Sequence, residues 1–316
     1  MSFPNLNLNL KLNILFNFWH NKNSADHRVE GTNIVARTRR RFSHFENVSA
    51  VFLMVILSGY SVTGVAAENA PMDEKLNADQ IVAKASLSAY YGGEDGRTLA
   101  RMRIVDANGR KQSRQFTILR KDLVEGGEQK FLVVFSRPSD VKGTTFMVHK
   151  KPDGEDDRWL YLPALDLVKR ISAGDKRTSF VGTHYFYEDV SGRSPNLDTH
   201  QILQETDSEY ILQHRAIDSA SVEFASYKTW IDKVSFLPLK IEYYDEKGNA
   251  FRRIEALEVK QVQDINTVTK AKVSNLNDGS YTLLEFRKIN YDLGLPDNLF
   301  SERSLRRPPV KWLKTK

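Results

Sequence analysis

Apolar and polar positions along this chain fall into three successive patterns: a continuous apolar block, a helical stripe, and a long series of two-residue alternations. The block is Val48 to Ala67, reading VSAVFLMVILSGYSVTGVAA. Its densest part, Ala50 to Leu57, is shorter than the ~20 residues that a membrane span needs. Arg37, Arg39, Arg40 and Arg41 precede the block, small residues Val65-Ala66-Ala67 end it, and polar Glu68 and Asn69 follow. That order predicts a secretory signal cleaved near Ala67. Upstream, the alternation NLNLNLKLN is biased toward Asn and has no partner run, so residues 1–36 are structurally uninformative. The expected organisation is an extension over 1–36, a signal peptide over 37–67 and one exported domain over 68–316.

The helical stripe follows. Asn77 can cap a helix, Gln80 stands at the capping-box position, Ile81, Val82, Ala85 and Ala89 form one apolar face, and Gly92-Gly93 ends it. From Thr98 the period changes to two. LARMRIVDANG and RKQSRQFTILRKD flank Asn108-Gly109, a strong hairpin signal. Further strands are expected over 130–136, 144–149, 158–162, 168–171, 210–216, 221–231, 239–244, 251–262, 267–275 and 281–291, with turn residues such as Asp153-Gly154, Lys247-Gly248-Asn249 and Asn277-Asp278-Gly279 between them. The fold class is α+β, mainly β: an antiparallel sheet that must curl to bury its apolar faces. Phe131-Leu132-Val133-Val134-Phe135 and Trp159-Leu160-Tyr161-Leu162 are apolar on both faces, so both sides of those strands need cover.

Charge changes meaning once the signal is set apart. The chain has a net charge of +6, but residues 1–67 hold seven Lys/Arg against three Asp/Glu and so account for most of the excess. The nearly neutral remainder removes the main support for a nucleic-acid partner. With no cysteine there is no disulfide, no thiolate metal site and no acylated N-terminal cysteine, so the exported domain is expected to be soluble.

Reactive constellations are scarce in the sequence. His149, His184, His200 and His214 show neither HxH nor HExxH spacing, and no GxSxG elbow occurs. No metal or cofactor is expected. The acidic run Asp153-Gly154-Glu155-Asp156-Asp157 lacks the remaining ligand positions of a calcium loop and reads as a solvated hairpin tip. Lys169, Arg170, Lys176 and Arg177 read as a solvated basic face, the alternative being an anionic headgroup or an acidic partner.

The segment from Phe135 to Val190 carries a combination of motifs: Pro-x-Asp-x-Lys-Gly-Thr at 138–144, Asp-Asp-x-Trp-Leu-Tyr-Leu-Pro at 156–163, Arg170-Ile171-Ser172, and Ser-Phe-x-Gly with Tyr-Glu-Asp at 179–189. Trp230-Ile231-Asp232, Pro238-Leu239-Lys240, Gly294-Leu295-Pro296 and Phe300 continue it. Over about residues 78 to 312 the sequence resembles the outer-membrane lipoprotein-sorting proteins of the LolA-like superfamily. The resemblance implies a strongly curved sheet, an unclosed half-barrel with helices packed in its concave face and an apolar cavity between. It implies a periplasmic carrier of lipoprotein acyl chains or lipid, supplied by an inner-membrane transporter and serving an outer-membrane acceptor or, alternatively, a lipid exporter.

Cavity-lining candidates are Phe131, Val133, Phe135, Phe146, Trp159, Tyr161, Phe180, Tyr185, Phe224, Tyr243 and Phe286. Residues 179–190 read equally as a movable lid or a fixed loop. Three other readings compete. One is a periplasmic hydrolase using carboxylates among Glu188, Asp189 and Glu285; another is an outer-membrane barrel, disfavoured by Arg252, Arg253 and Lys260 within its strands; the third is an envelope scaffold.

Overall fold

A computed structural model of the chain describes residues 75–314. The expected export signal, its cleavage near Ala67 and the N-terminal extension lie outside the described residues.

Helix α1 spans Ala78–Tyr90. The side chain of Asn77 accepts from the Gln80 backbone N–H at 2.9 Å, and the Gln80 side chain accepts from the Asn77 N–H at 2.8 Å, so two otherwise orphaned donors are satisfied. Thirteen strands follow: β1 Asp95–Val105, β2 Lys111–Asp122, β3 Gln129–Arg137, β4 Thr145–Lys150, β5 Asp157–Leu162, β6 Leu167–Ile171, β7 Asp198–Glu205, β8 Glu209–Ala216, β9 Ser226–Asp232, β10 Pro238–Tyr244, β11 Ala250–Val262, β12 Ile265–Asn275 and β13 Tyr281–Tyr291. They form one antiparallel sheet in the order β6-β5-β4-β3-β2-β1-β13-β12-β11-β10-β9-β8-β7. The first and last strands of the chain meet at its centre, with Ala100 opposite Phe286, and the edges are β6 and β7. Because those edges do not pair, the sheet is an unclosed half-barrel rather than a barrel. Among the described residues no helix is long and apolar enough to cross a membrane.

Residues 172–197 run from one edge to the other. This crossing segment carries the short helix α2, Tyr187–Ser191, and sends Phe180, Tyr185 and Tyr187 into the concave core. There they meet Met102, Phe116, Phe131, Val133, Phe135, Phe146 and Leu284, every one from the inward-facing set of its strand. The turn at 138–144 closes β3 onto β4: Gly143, at φ +83°, donates to the Phe135 carbonyl, and Phe135 donates to the Thr144 carbonyl, both at 2.9 Å. Asp140 points away from that backbone, toward Arg114 at 3.9 Å.

The two-faced strands find their second cover in the C-terminal segment, which carries helices α3, Glu302–Arg306, and α4, Val310–Leu313. Buried Asp95 accepts from the Leu293 and Leu295 backbone N–H groups at 2.7 and 2.6 Å, turning the chain back over the convex face. Leu295, Leu299, Phe300 and Leu305 then pack on Leu119, Leu132, Val134 and Met147. A ring nitrogen of His149, Nε2, donates to the Phe300 carbonyl at 2.9 Å and fixes the far end. The Gly294-Leu295-Pro296 and Phe300 motif thus supplies the outer cover of the sheet.

Candidate functional site

A cavity of about 420 Å³ lies between the concave face and α1. Val82 and Ala85 of the helix form one wall, with Ile118, Ile254, Ala256, Leu284, Phe286 and Ile289 of the sheet opposite. Its lining is mainly apolar, with one set of polar groups by the crossing segment, Tyr90, Tyr185, Asp189, Arg193, His214, Tyr227 and Tyr243, and others elsewhere at Thr98, Arg120, Asn266, Thr267 and Tyr291.

The set by the crossing segment stands on a buried ion network that pins that segment. Glu188, 2% exposed, accepts from Arg177 at 2.7 Å and from Arg193 at 3.2 Å, with Lys176 at 3.9 Å. Burial opposes its charge, yet Arg177 and Arg193 prevail and hold its carboxyl below the ordinary value. Arg193 also grips Asp198 through two bonds of 2.8 Å, and the Tyr227 hydroxyl donates to Asp198 at 2.7 Å. Asp189 accepts from Arg252 and from the Phe186 N–H. Lys150 donates to the Ser191 carbonyl at 2.7 Å, and burial lowers its ammonium to about 8. In this conformation residues 179–190 pack into the core beneath these ion pairs.

Beside the network lies a histidine pair. His200 and His214 face each other across β7 and β8 with their Nδ1 atoms 2.7 Å apart. His200 Nε2 meets the Pro195 carbonyl, which can only accept, so His200 donates there; with that tautomer its Nδ1 accepts from His214. His214 then accepts at Nε2 from the Thr229 hydroxyl at 2.7 Å. Burial, with the neighbouring His200, lowers His214 to about 3.

The structure distributes the expected lining residues over three places. Phe131, Val133, Phe180, Tyr185, Tyr243 and Phe286 border the cavity. Phe135 and Phe146, at 1% and 0% exposure, lie deeper in the packed layer against Phe180, and Phe224 sits between Tyr227 and Tyr243 under Arg177. Trp159 and Tyr161 are on the opposite face: both pack with the outer cluster, Trp159 edge-on to His149, while Leu160 holds the inner face. The reason is register, since Leu160 stands opposite Phe146 and the two share the inward side. The helix wall and the β1, β2, β11 and β13 positions Thr98, Ile118, Ile254 and Leu284 were not among the expected residues; inward alternation was the available signal.

The remaining candidates resolve similarly. Lys169 and Arg170 are exposed on β6, whereas Lys176 and Arg177 are buried in the ion network. The 153–157 tip holds Asp156 against Arg158 at 2.6 Å and Asp157 against Lys151 at 2.7 Å. Among the described residues no cluster of three or more His, Asp or Glu side chains is placed to hold a metal ion. Glu285 pairs with Arg287 at 2.7 Å, and Glu188 and Asp189 are likewise each bound by arginine.

Comparison with known proteins agrees with this architecture. A family model described as an uncharacterized protein family matches residues 127–307. No curated protein matches the chain. A putative outer membrane lipoprotein-sorting protein domain from Vibrio parahaemolyticus is 30% identical, with 73% of this chain and 98% of that one covered and a TM-score of 0.66. A DUF1329 family protein from Desulfovibrio piger is 27% identical over 71% of this chain and 95% of its own, with a TM-score of 0.65. A LolA superfamily protein from Nitrosomonas europaea, 19% identical over 72% and 99% of the two chains, shares the fold at a TM-score of 0.56. The half-barrel, its concave cavity and the 30% identity over nearly the whole of the Vibrio parahaemolyticus domain place the chain in the family of that putative outer membrane lipoprotein-sorting protein domain.

Proposed function

We propose that this protein is a periplasmic carrier that holds an acyl chain of a lipoprotein or lipid in the concave cavity and passes it toward the outer membrane. The observation that carries this reading is the mainly apolar cavity beneath α1, built on a fold shared with a putative lipoprotein-sorting domain. Burying an acyl chain contributes roughly 0.8 kcal/mol per CH₂, so an apolar cavity supplies affinity without a reactive group. Cargo would load from an inner-membrane transporter and move by a difference in affinity, with no covalent step. The apolar block at 48–67, following Arg37 to Arg41, would deliver the chain to that compartment.

A hydrolase reading is less favoured. A catalytic acid needs a raised pKa, and Glu188 is held in the opposite direction by its arginines. The test is organic extraction of protein purified from the cell envelope, followed by mass spectrometry. The carrier reading expects stoichiometric acyl lipid; protein that is lipid-free and also ignores fluorescent acyl probes would overturn it.

A further inference from the structure

Strands β12 and β13 separate inside the sheet. Their ladder ends at the Lys270–Glu285 pair, although β12 extends beyond it to Ile265 and β13 to Tyr291. Each keeps its other neighbour: Thr267 stands opposite Lys260 of β11, and Asn290 opposite Arg97 of β1. The result is a slit within the sheet, closed at its far end by side chains. Gln263 exchanges two hydrogen bonds with the Tyr291 backbone, at 2.8 and 3.3 Å, and the Thr267 and Tyr291 hydroxyls meet at 2.9 Å. Backbone groups without a strand partner are a cost that sheets normally avoid. Irregularities beside the slit sustain it: β11 bulges around Glu258, and Lys288 takes φ +49° within the β13 lip. Bulges re-aim side chains and end pairing.

The slit lies between two hollows. On the concave side its lips, Val268, Phe286 and Ile289, line the apolar cavity. On the convex side is a groove of about 530 Å³ bordered by Glu258, Lys260, Lys270, Glu285, Arg287 and Lys288. Phe286 and Ile289 border both spaces, and both are half-buried, unlike the fully buried core rings of Phe135 and Phe146. Apolar side chains thus stand where a hydrogen-bonded ladder would otherwise seal the wall. The outer rim is charged, with Glu258 on Lys260 at 3.0 Å and Glu285 on Arg287 at 2.7 Å. Charged and polar groups stay with water, whereas an apolar chain gains by leaving it.

Resting on the carrier reading above, we infer that the slit between β12 and β13 is a side portal through which an acyl chain enters and leaves the cavity, with its polar head kept outside at the charged rim. Rotation of Phe286 and Ile289 joins the two spaces without breaking a ladder.

The test exploits the absence of cysteine from the chain, which makes an introduced thiol unique. Arg287→Cys, at a side chain 63% exposed on the rim, is coupled to a bulky maleimide; Val234→Cys, at a residue 90% exposed in the turn between β9 and β10, carries the same label as control. Stopped-flow mixing of each delipidated full chain with a fluorescent acyl probe gives the association and dissociation rates. The label at 287 is expected to lower both rates about tenfold or more, and the label at 234 neither, because an obstacle on the path slows both directions whereas one that only crowds bound cargo speeds release. Lys260→Cys, on the facing side of the groove, should reproduce the effect, and unchanged unfolding midpoints confirm the fold. Unchanged rates with the label at 287, or slower association with faster release, would overturn the portal and leave the carrier reading intact. Failure of the wild type to bind the probe would remove both.

Discussion

At the scale of single residues, the histidine pair carries a pH dependence with a definite sign. His214 is neutral in the fold, with its pKa lowered from 6.5 to about 3, whereas the unfolded chain protonates it below 6.5. The unfolded state therefore binds more protons between these values. Its contribution to stability is intact above 6.5 and is lost as pH falls toward 3, by about 1.4 kcal/mol per pH unit. Chemical unfolding of the wild type and of His214→Gln across that window should show the smaller slope in the variant. Parallel profiles would contradict the assigned bond chain. Nothing in the sequence around His200 and His214 announced this pair, because the two residues meet only through the β7–β8 register. Trp159 and Tyr161 illustrate the same limit: alternation shows that they share a face of β5, but only the register with β4 decides which face is inward.

At the scale of elements, the crossing segment is the piece whose anchoring matters most. Removing the Glu188 carboxylate, at a site 2% exposed, would take one carboxylate from each of Arg177, Arg193 and Lys176, which keep Glu223, Asp198 and Glu155. Glu188→Ala is expected to cost about 1.5 to 3 kcal/mol in chemical unfolding, the loss typical of hydrogen bonds to a charged group whose partners keep other carboxylates. A change under about 1 kcal/mol would mean that the network does not hold the segment. Most elements are legible in the sequence: the α1 N-cap, the β1–β2 hairpin, β3 to β6, β8 and the strands from β10 onward follow the expected pattern. The expected strand over 221–231 begins later, at Ser226, because 219–221 forms a 3₁₀ turn capped by Asp218. Strand β7 escaped because DTHQILQE, as an edge strand, buries little beyond Asp198 and lacks clean alternation. The C-terminal segment escaped too: its short helices have no periodic stripe, and its role emerges only from the outward residues of β2 to β4 that it covers.

At the scale of the molecule, pairing of β1 with β13 puts the first and last strands at the centre of the sheet and leaves β6 and β7 as edges bridged from inside. The curvature this permits, with α1 on the concave side, creates the cavity. Local pattern predicted a curled sheet, but the wall positions required the long-range register. The central claim is that this cavity takes an acyl chain, and Ala256, on its wall, offers a direct test. An indole at 256 would fill empty space rather than a packed core. The decisive measurement is equilibrium titration with a fluorescent acyl probe, comparing wild type and Ala256→Trp with unfolding midpoints as controls. The account predicts binding by the wild type and a loss of about tenfold or more in a variant of unchanged stability; equal affinity in both would contradict it.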